Sequence, residues 1–348
     1  RQTIQKDVYG VNWLNYDGSA YVCLSQNADS ITYDYLIVSN DRSVTIEGVY
    51  SASISDDRSV IYLLADYNAE LELGTLYSLS VANLQKRELA KNVAFINPGG
   101  ITDLTQGILY STPGEMSGRY DINYVTSSGQ IYTLISDGFE QSLYTIYLNT
   151  QQQTGYIMMH GVSADRHTLH YVEWSNGRID DRKLDENVHE LVYYEACDSI
   201  LYIKNGNGNA AELYMVTGDQ DRKLVAQNTG AIYNSADQSY YSCSLLSNDG
   251  KKALYFTNLI NTEESDLESH PIASLYGTMH IIDLETGKST EIAKQVMANA
   301  VLSIMADENM DNIYFMTLDG ERLSLCQYIS GEVAVLDNGV MNMLIPTM

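Results

Sequence analysis

A short polar turn followed by an apolar run containing tyrosine recurs along the whole chain. It reads Ala20-Tyr21-Val22, Ile61-Tyr62-Leu63, Leu109-Tyr110, Gly155-Tyr156-Ile157, Leu201-Tyr202-Ile203, Leu254-Tyr255-Phe256 and Ile313-Tyr314-Phe315. These tyrosines are 41, 48, 46, 46, 53 and 59 residues apart. A second pattern is independent of the first: an alternating run that ends in a polar residue or glycine and then, usually, valine. Glu88-Leu89-Ala90-Lys91-Asn92-Val93 and Glu291-Ile292-Ala293-Lys294-Gln295-Val296 are its clearest copies, with related endings at Val49, Phe139, Val188, Gly230 and Val340. Those endings are 44, 46, 49, 42, 66 and 44 residues apart. Both patterns give seven repeats of about 48 residues, which nearly exhausts the chain.

Each repeat holds four strand-sized pieces. In the second they are Val49–Ile54, Val60–Leu64, Thr75–Leu79 and Arg87–Ala90. In the sixth they are Tyr240–Leu245, Ala253–Asn258, Thr278–Asp283 and Thr290–Ala293. The pieces are rich in Tyr, Val, Ile, Leu and Thr, as strands on a pleated, half-buried surface should be. The joints are turn chemistry, as in Ser55-Asp56-Asp57-Arg58 and Ser247-Asn248-Asp249-Gly250. In the fourth repeat, Leu169–Trp174 mimics a second strand, but its distance to Val188 makes it the third; Tyr156–Met159 is then the second. Four prolines in 348 residues suit a chain that is mostly hydrogen-bonded strand. No amphipathic helix of ten residues or more is apparent.

Four short antiparallel strands repeated in this way predict an all-β fold, a β-propeller of four-stranded antiparallel blades. Neighbouring blades then bury both faces of sheets that could not bury them alone. Seven blades are expected, with eight, including a reduced closing blade, as the alternative. Residues 1–348 are expected to be a single propeller domain. Thr3–Val8 reads as a spare outer strand and Val340–Pro346 as a spare innermost one.

With 45 acidic and 20 basic residues, the formal net charge is −25. That excludes a nucleic-acid binder, which needs Lys and Arg for phosphate contacts, and disfavours an anionic membrane surface. A hydrophobic fraction of 45% is that of a globular chain, not an acidic disordered tail. No stretch approaches the roughly 20 apolar residues of a membrane span. The start at Arg1, without an initiator Met, suggests a processed product or a piece of something longer, with any anchor outside this chain.

The repeats resemble the TolB-like, WD-related bacterial propeller repeat. The resemblance rests on Ser247-Asn248-Asp249-Gly250-Lys251-Lys252-Ala253-Leu254-Tyr255-Phe256, then Gly277-Thr278-Met279-His280-Ile281-Ile282-Asp283-Leu284-Glu285-Thr286-Gly287-Lys288, and on Gly74-Thr75-Leu76-Tyr77 in the second repeat. The other five repeats are degenerate: the usual Pro before Asp-Gly is absent, and Arg58 and Arg166 stand where Gly is typical. The chain also resembles propeller modules that Gram-positive gut bacteria carry outside the membrane. The resemblance implies an extracellular, membrane-anchored module that binds a protein, peptide or glycan. It carries over no catalytic residues.

In a propeller the loops joining second to third strands gather on one face. The longest here runs from Asn261 to Pro271 and contains Glu263, Glu264, Asp266 and Glu268. With Asp66, Glu70, Glu72, Glu115 and Asp165 on sibling loops, and tyrosines such as Tyr33, Tyr67, Tyr120 and Tyr276 nearby, that face is expected to be acidic and Tyr-bearing. Such a surface suits a basic partner, a cation or a glycan; acidic loops also simply keep a large β protein soluble. His160, His167 and His170 lie near Asp165, but His167 and His170 fall on opposite faces of a strand, so no metal site is expected. Asn205–Asn209 lacks the carboxylates of a tight Ca²⁺ site. Cys23, Cys197, Cys243 and Cys326 follow no motif spacing and read as buried thiols; a Cys23–Cys326 bridge is conceivable. No catalytic motif occurs, no cofactor is expected, and the readable innermost strands, Val49–Ile54, Val93–Asn97, Val188–Tyr193 and Val296–Ser303, carry only His189 and Glu190 as Asp, Glu, His or Arg. A non-catalytic, monomeric binding module is therefore expected. A glycan lyase or hydrolase on the same scaffold, and a structural spacer, are the alternatives.

Overall fold

The computed structural model describes residues 8–15, 18–26, 31–97, 104–138, 144–159, 167–207, 210–234, 239–261, 275–298, 304–319 and 322–340. Its strands succeed one another as antiparallel meanders. The first sheet holds β1 (Gly10–Trp13), β2 (Ala20–Gln26), β3 (Tyr33–Ser39) and β4 (Arg42–Val49). The second holds β5 (Ser51–Ile54), β6 (Val60–Asn68), β7 (Leu73–Ser80) and β8 (Lys86–Val93). The third holds β9 (Phe95–Ile96), β10 (Gly107–Pro113), β11 (Tyr120–Thr126) and β12 (Ile131–Gly138). The fourth holds β13 (Tyr144–Asn149), β14 (Thr154–Met159), β15 (Thr168–Ser175) and β16 (Arg178–Glu186). The fifth has five strands: β17 (Val188–Tyr194), β18 (Ser199–Asn207), β19 (Ala210–Thr217), β20 (Lys223–Asn234) and β21 (Ser239–Ser242). The last combines β22 (Leu245–Leu246), β23 (Lys252–Asn261), β24 (Leu275–Asp283) and β25 (Ser289–Met297) with β26 (Ile304–Ala306), β27 (Asn312–Asp319), β28 (Arg322–Ile329) and β29 (Glu332–Asn338). Within it, β25 meets β27 through the single pair Val296↔Thr317. Among the described residues the only helix is a three-residue 3-10 turn, Glu195–Cys197. This is the all-β, four-stranded propeller architecture that the repeats predict, and β14 and β15 are the second and third strands of their sheet, as the spacing argument requires.

The valine pattern has a backbone cause. Gly48, Asn92, Asp137, Asn187, Asn228, Gln295 and Gly339 all have positive φ, between 52° and 79°. The first six stand in or just after a fourth strand, one residue before the point where the chain passes toward the next sheet; Gly339 follows the last strand. The strand registers show the effect. Gly74 pairs with Val93 but Thr75 with Lys91, so Asn92 is the extra residue of a β-bulge. The same shift occurs between Gly277↔Val296 and Met279↔Ala293, and between Tyr33↔Val49 and Tyr35↔Ile46. A left-handed residue at a bulge bends the strand and re-aims the next side chain. Val49, Val93, Val188 and Val296 are thereby fully buried. The glycine opposite the bulge has the same geometric origin. A Cβ at Gly74 would lie 2.9 Å from the Ala65 carbonyl oxygen, and one at Gly277 only 2.8 Å from Leu259 Cδ2.

The Ser-x-Asp turns are held by side chains. Ser55 Oγ donates to Asp57 Oδ1 at 2.7 Å and accepts the Val60 amide at 3.0 Å; Ser247 Oγ donates to Asp249 Oδ1 at 2.7 Å and accepts the Lys252 amide at 2.9 Å. The hydroxyl and carboxylate satisfy backbone donors that the tight turn leaves unpaired.

The chain divides into two compact units, residues 1–157 with 172–182, and residues 158–171 with 183–348. In the first, one core cluster joins Val22, Ile37, Val49, Ile61 and Leu63, and a second joins Tyr62, Leu64, Leu76, Val93, Ile108 and Tyr110. Alternate residues of β6 thus face different sheets, as strict alternation requires. Tyr62 is wholly buried, and its hydroxyl reaches the Leu104 carbonyl at 3.0 Å. In the second unit, Leu201, Ile203, Leu213, Ala231, Leu246 and Ala253 form one cluster, and Leu254, Phe256, Met279, Val296, Ile313 and Phe315 another. Each large apolar side chain among them contributes ~1.5–3 kcal/mol when fully buried.

Two strand readings are corrected. The expected strand Tyr240–Leu245 is split: Ser239–Ser242 continues the fifth sheet by pairing with Ala231–Asn234, and only Leu245–Leu246 pairs with β23. Val296 belongs to β25, and the first strand of the last meander is Ile304–Ala306. Thr3–Asp7 and 341–346, read as strands, lie outside the described residues. All four cysteines are free thiols, Cys23 and Cys326 buried.

Candidate functional site

In the first unit, a cleft of about 410 Å³ opens between the β6–β7 turn, β9 and the β10–β11 loop. Its more buried lining, the floor, is Ala94, Phe95 and Tyr120; its exposed lips are two loops, one carrying Leu71 and Glu72 and the other Glu115 and Met116, and Arg119 also lines it. Leu71 is 66% exposed and Met116 56% exposed, although both are large and apolar. The rings of Phe95 and Tyr120 meet at 5.8 Å.

Both lips are held by their own hydrogen bonds. Asn68 Oδ1 accepts the amides of Glu70 at 2.9 Å and Leu71 at 3.1 Å, and Glu72 sits in the left-handed region at φ +56°. Across the cleft the Gly114 amide donates to the Arg119 carbonyl at 2.8 Å, and Asp137 Oδ1 accepts the Met116 amide at 3.0 Å. Asp137 is placed in turn by its own amide, which donates to Asp121 Oδ1 at 2.7 Å. A Cβ at Gly114 would lie 2.7 Å from Asp137 Oδ1, so a larger residue there would displace this carboxylate.

The aromatic surface continues beside the cleft. Tyr50 and Tyr67 stack with ring centroids 4.0 Å apart and planes within 5°. Burial, the neighbouring Tyr50, and the charge of Glu72 all push the Tyr67 phenol up. Tyr9, just before β1, and Tyr33 of β3 meet at 5.9 Å.

The structure brings together part of the expected acidic face. Glu72 and Glu115 line the one cleft, and Glu70 is exposed beside it. Asp66 is instead engaged: it accepts the Tyr77 hydroxyl at 2.5 Å, and that hydrogen bond, with burial, raises the Tyr77 phenol to about 12. Tyr276 is half-buried in β24 of the second unit. Asp165, Glu263, Glu264, Asp266 and Glu268 lie outside the described residues, as does His160. Leu71, Phe95 and Met116 are not legible as site residues in the sequence. Their one signal is the presence of large apolar side chains in or beside turns that are otherwise polar.

The second unit holds two titratable centres, Asp185 buried and Glu190 half-buried. Asp185 accepts Lys204 Nζ at 2.7 Å, the Tyr202 hydroxyl at 2.8 Å and the Glu186 amide at 2.8 Å, and is also paired with Arg222. Burial opposes its ionisation, but these donors outweigh burial and hold its carboxyl below the usual range. Glu190 lies on β17 beside a bulge at His189. Its Oε2 accepts the amide and hydroxyl of Ser242 at 2.6 and 2.9 Å, while burial pushes its carboxyl up to about 7. Among the described residues no group of three His, Cys, Asp or Glu could hold a metal ion, and no helix is long and apolar enough to cross a membrane.

The sequence matches no protein-family model and no curated protein. A crystal structure titled for the eukaryotic initiation factor is similar over 97% of this chain and 79% of its own, at 11% identity and a TM-score of 0.51. That likeness is one of fold alone. TolB from Acinetobacter baumannii is 14% identical over 88% of this chain and 76% of its own, with a TM-score of 0.33. An oligogalacturonate lyase from Vibrio parahaemolyticus is 11% identical over 86% and 84%, with a TM-score of 0.40.

Proposed function

We propose that this chain is a non-catalytic extracellular binding module, one propeller domain over residues 1–348, that takes a protein, peptide or glycan on its acidic, Tyr-bearing loop face. The observation that carries this reading is the cleft of Leu71, Glu72, Phe95, Glu115, Met116 and Tyr120. Large apolar side chains exposed around a concavity and rimmed by charge mark interaction surfaces. Pre-formed lips lower the ordering cost of binding. Asp165, Glu263, Glu264, Asp266, Glu268 and Tyr276 are proposed as further binding residues, on the loops that the sequence assigns to the acidic surface. The test is binding of the chain and of its Leu71→Ser/Met116→Ser variant to a mixed array of peptides and glycans. Ligands retained by the parent and lost by the variant support the reading; an empty array, or identical profiles, contradicts it.

One observation favours a second reading, an enzyme. Glu190 is a half-buried carboxyl on a first strand, with its acidity tuned toward neutral pH, as general acids and bases are. Against it, the two donors to Glu190 are the backbone amide and hydroxyl of Ser242, which the carboxylate satisfies where β21 ends. Glycan turnover abolished by Glu190→Gln, with unchanged binding at the cleft, would establish the enzyme reading instead.

A further inference from the structure

We infer that the cleft of the first unit is built for an extended peptide segment bearing lysine or arginine beside aliphatic residues. This inference rests on the binding reading above and names the class of ligand within it. Three features of the cleft converge on a cationic side chain with a long apolar stem.

The first is charge. Glu72 and Glu115 line the cleft from its two loops, Glu70 lies two residues before Glu72, and none of the three makes an ion pair with a described residue. Against these carboxylates the lining offers one cation, Arg119. The whole chain, at −25, adds a long-range field of the same sign.

The second is the pair of aliphatic lips. Leu71 and Met116 are exposed on loops whose backbone amides are fixed by hydrogen bonds. Lysine and arginine pack their methylene stems on apolar surface while keeping the charged head among polar groups. Leu71 and Met116 grip the stem; Glu72 and Glu115 stand where the head emerges. Methionine adapts its shape to the guest.

The third is the aromatic ground. Tyr120 and Phe95 form the floor, and the stacked Tyr50–Tyr67 pair lies beside it. Ring faces attract a nearby ammonium or guanidinium. A neutral glycan would use the rings but would leave exposed carboxylates and aliphatic lips without matching groups.

The test is fluorescence anisotropy with a short labelled peptide of repeating lysine–isoleucine–serine, its glutamate–isoleucine–serine counterpart, and a labelled neutral oligosaccharide of N-acetylglucosamine. The lysine peptide is expected to bind at least about tenfold more tightly than the glutamate peptide, a difference of ~1.4 kcal/mol. Its affinity is expected to fall as salt rises. Glu72→Gln/Glu115→Gln and Leu71→Ser/Met116→Ser should each weaken it about tenfold or more. All four residues are exposed, so folding is retained, and circular dichroism checks it. If the oligosaccharide binds, and binding is lost in Leu71→Ser/Met116→Ser while the lysine peptide fails to bind, the cleft is a binding site but the peptide inference is overturned. If the lysine peptide binds parent and both variants equally, the cleft is not its site, and the inference is equally overturned. If neither probe binds, the peptide inference falls with these ligands, and the mixed array decides the broader reading.

Discussion

Asp185 and Lys204 are ion-paired at 2.7 Å with only 2% and 8% of their side chains exposed. Arg222 closes on the same carboxylate from the rim, and Tyr202 and Tyr214 stack beside it at 5.6 Å. A buried ion pair contributes little net stability against well-packed hydrophobes, but removing one member strands the other. Asp185→Asn is therefore expected to cost ~3–5 kcal/mol in chemical denaturation. Asp185→Leu/Lys204→Met should recover most of that loss. A single variant within ~1 kcal/mol of the parent would contradict this account of the pair.

Stability should respond to pH through Asp185 and Glu190 in opposite senses. Asp185 has a lowered carboxyl in the fold, so its contribution is present above the ordinary aspartate range and is lost as pH falls through its folded value. Glu190 has a raised one, about 7 against an ordinary 4.5. Its contribution is complete below the unfolded value and is lost as pH rises toward 7, by ~2–3 kcal/mol. Glu190→Gln is expected to remove that decline between about pH 4.5 and 7. Denaturation curves at the two ends of this window check it; a variant that keeps the parent's decline would contradict the assignment.

The left-handed bulge residues predict which substitutions the repeat tolerates. Gln295, at φ +52°, is an ordinary L-residue where the bulge needs a left-handed conformation. Gln295→Gly should leave stability unchanged or raise it by up to ~1 kcal/mol. Gln295→Val, β-branched at positive φ, should lower it by ~2 kcal/mol or more. Equal stabilities for the two variants would show that the bulge does not constrain this position.

The repeat is legible because backbone geometry constrains its residue types. A left-handed residue before a buried one leaves a Gly/Asn/Gln-then-Val trace at Gly48-Val49, Asn92-Val93, Asn187-Val188 and Gln295-Val296. In the third and fifth sheets the buried position holds Gly138 and Thr229, so the sequence pattern places it one residue late, at Phe139 and Gly230. The split of β21 from β22 leaves no trace, since Tyr240–Leu245 alternates like any strand. Acidic loops announce Glu72 and Glu115 by composition. The cleft itself is hidden, because the loops that expose Leu71 and Met116 are held by hydrogen bonds from their amides to Asn68 and Asp137, which sequence spacing does not encode. Asp66 reads as available in the sequence because its partner Tyr77 lies across the β6–β7 turn.

The most direct test of the binding cleft is the methionine methyl spectrum of the chain during titration with the lysine–isoleucine–serine peptide. The account predicts that the methyl resonance of exposed Met116 shifts and saturates, while that of Met310, 3% exposed in the second unit, stays in place. Saturable binding with no change at Met116 would contradict it.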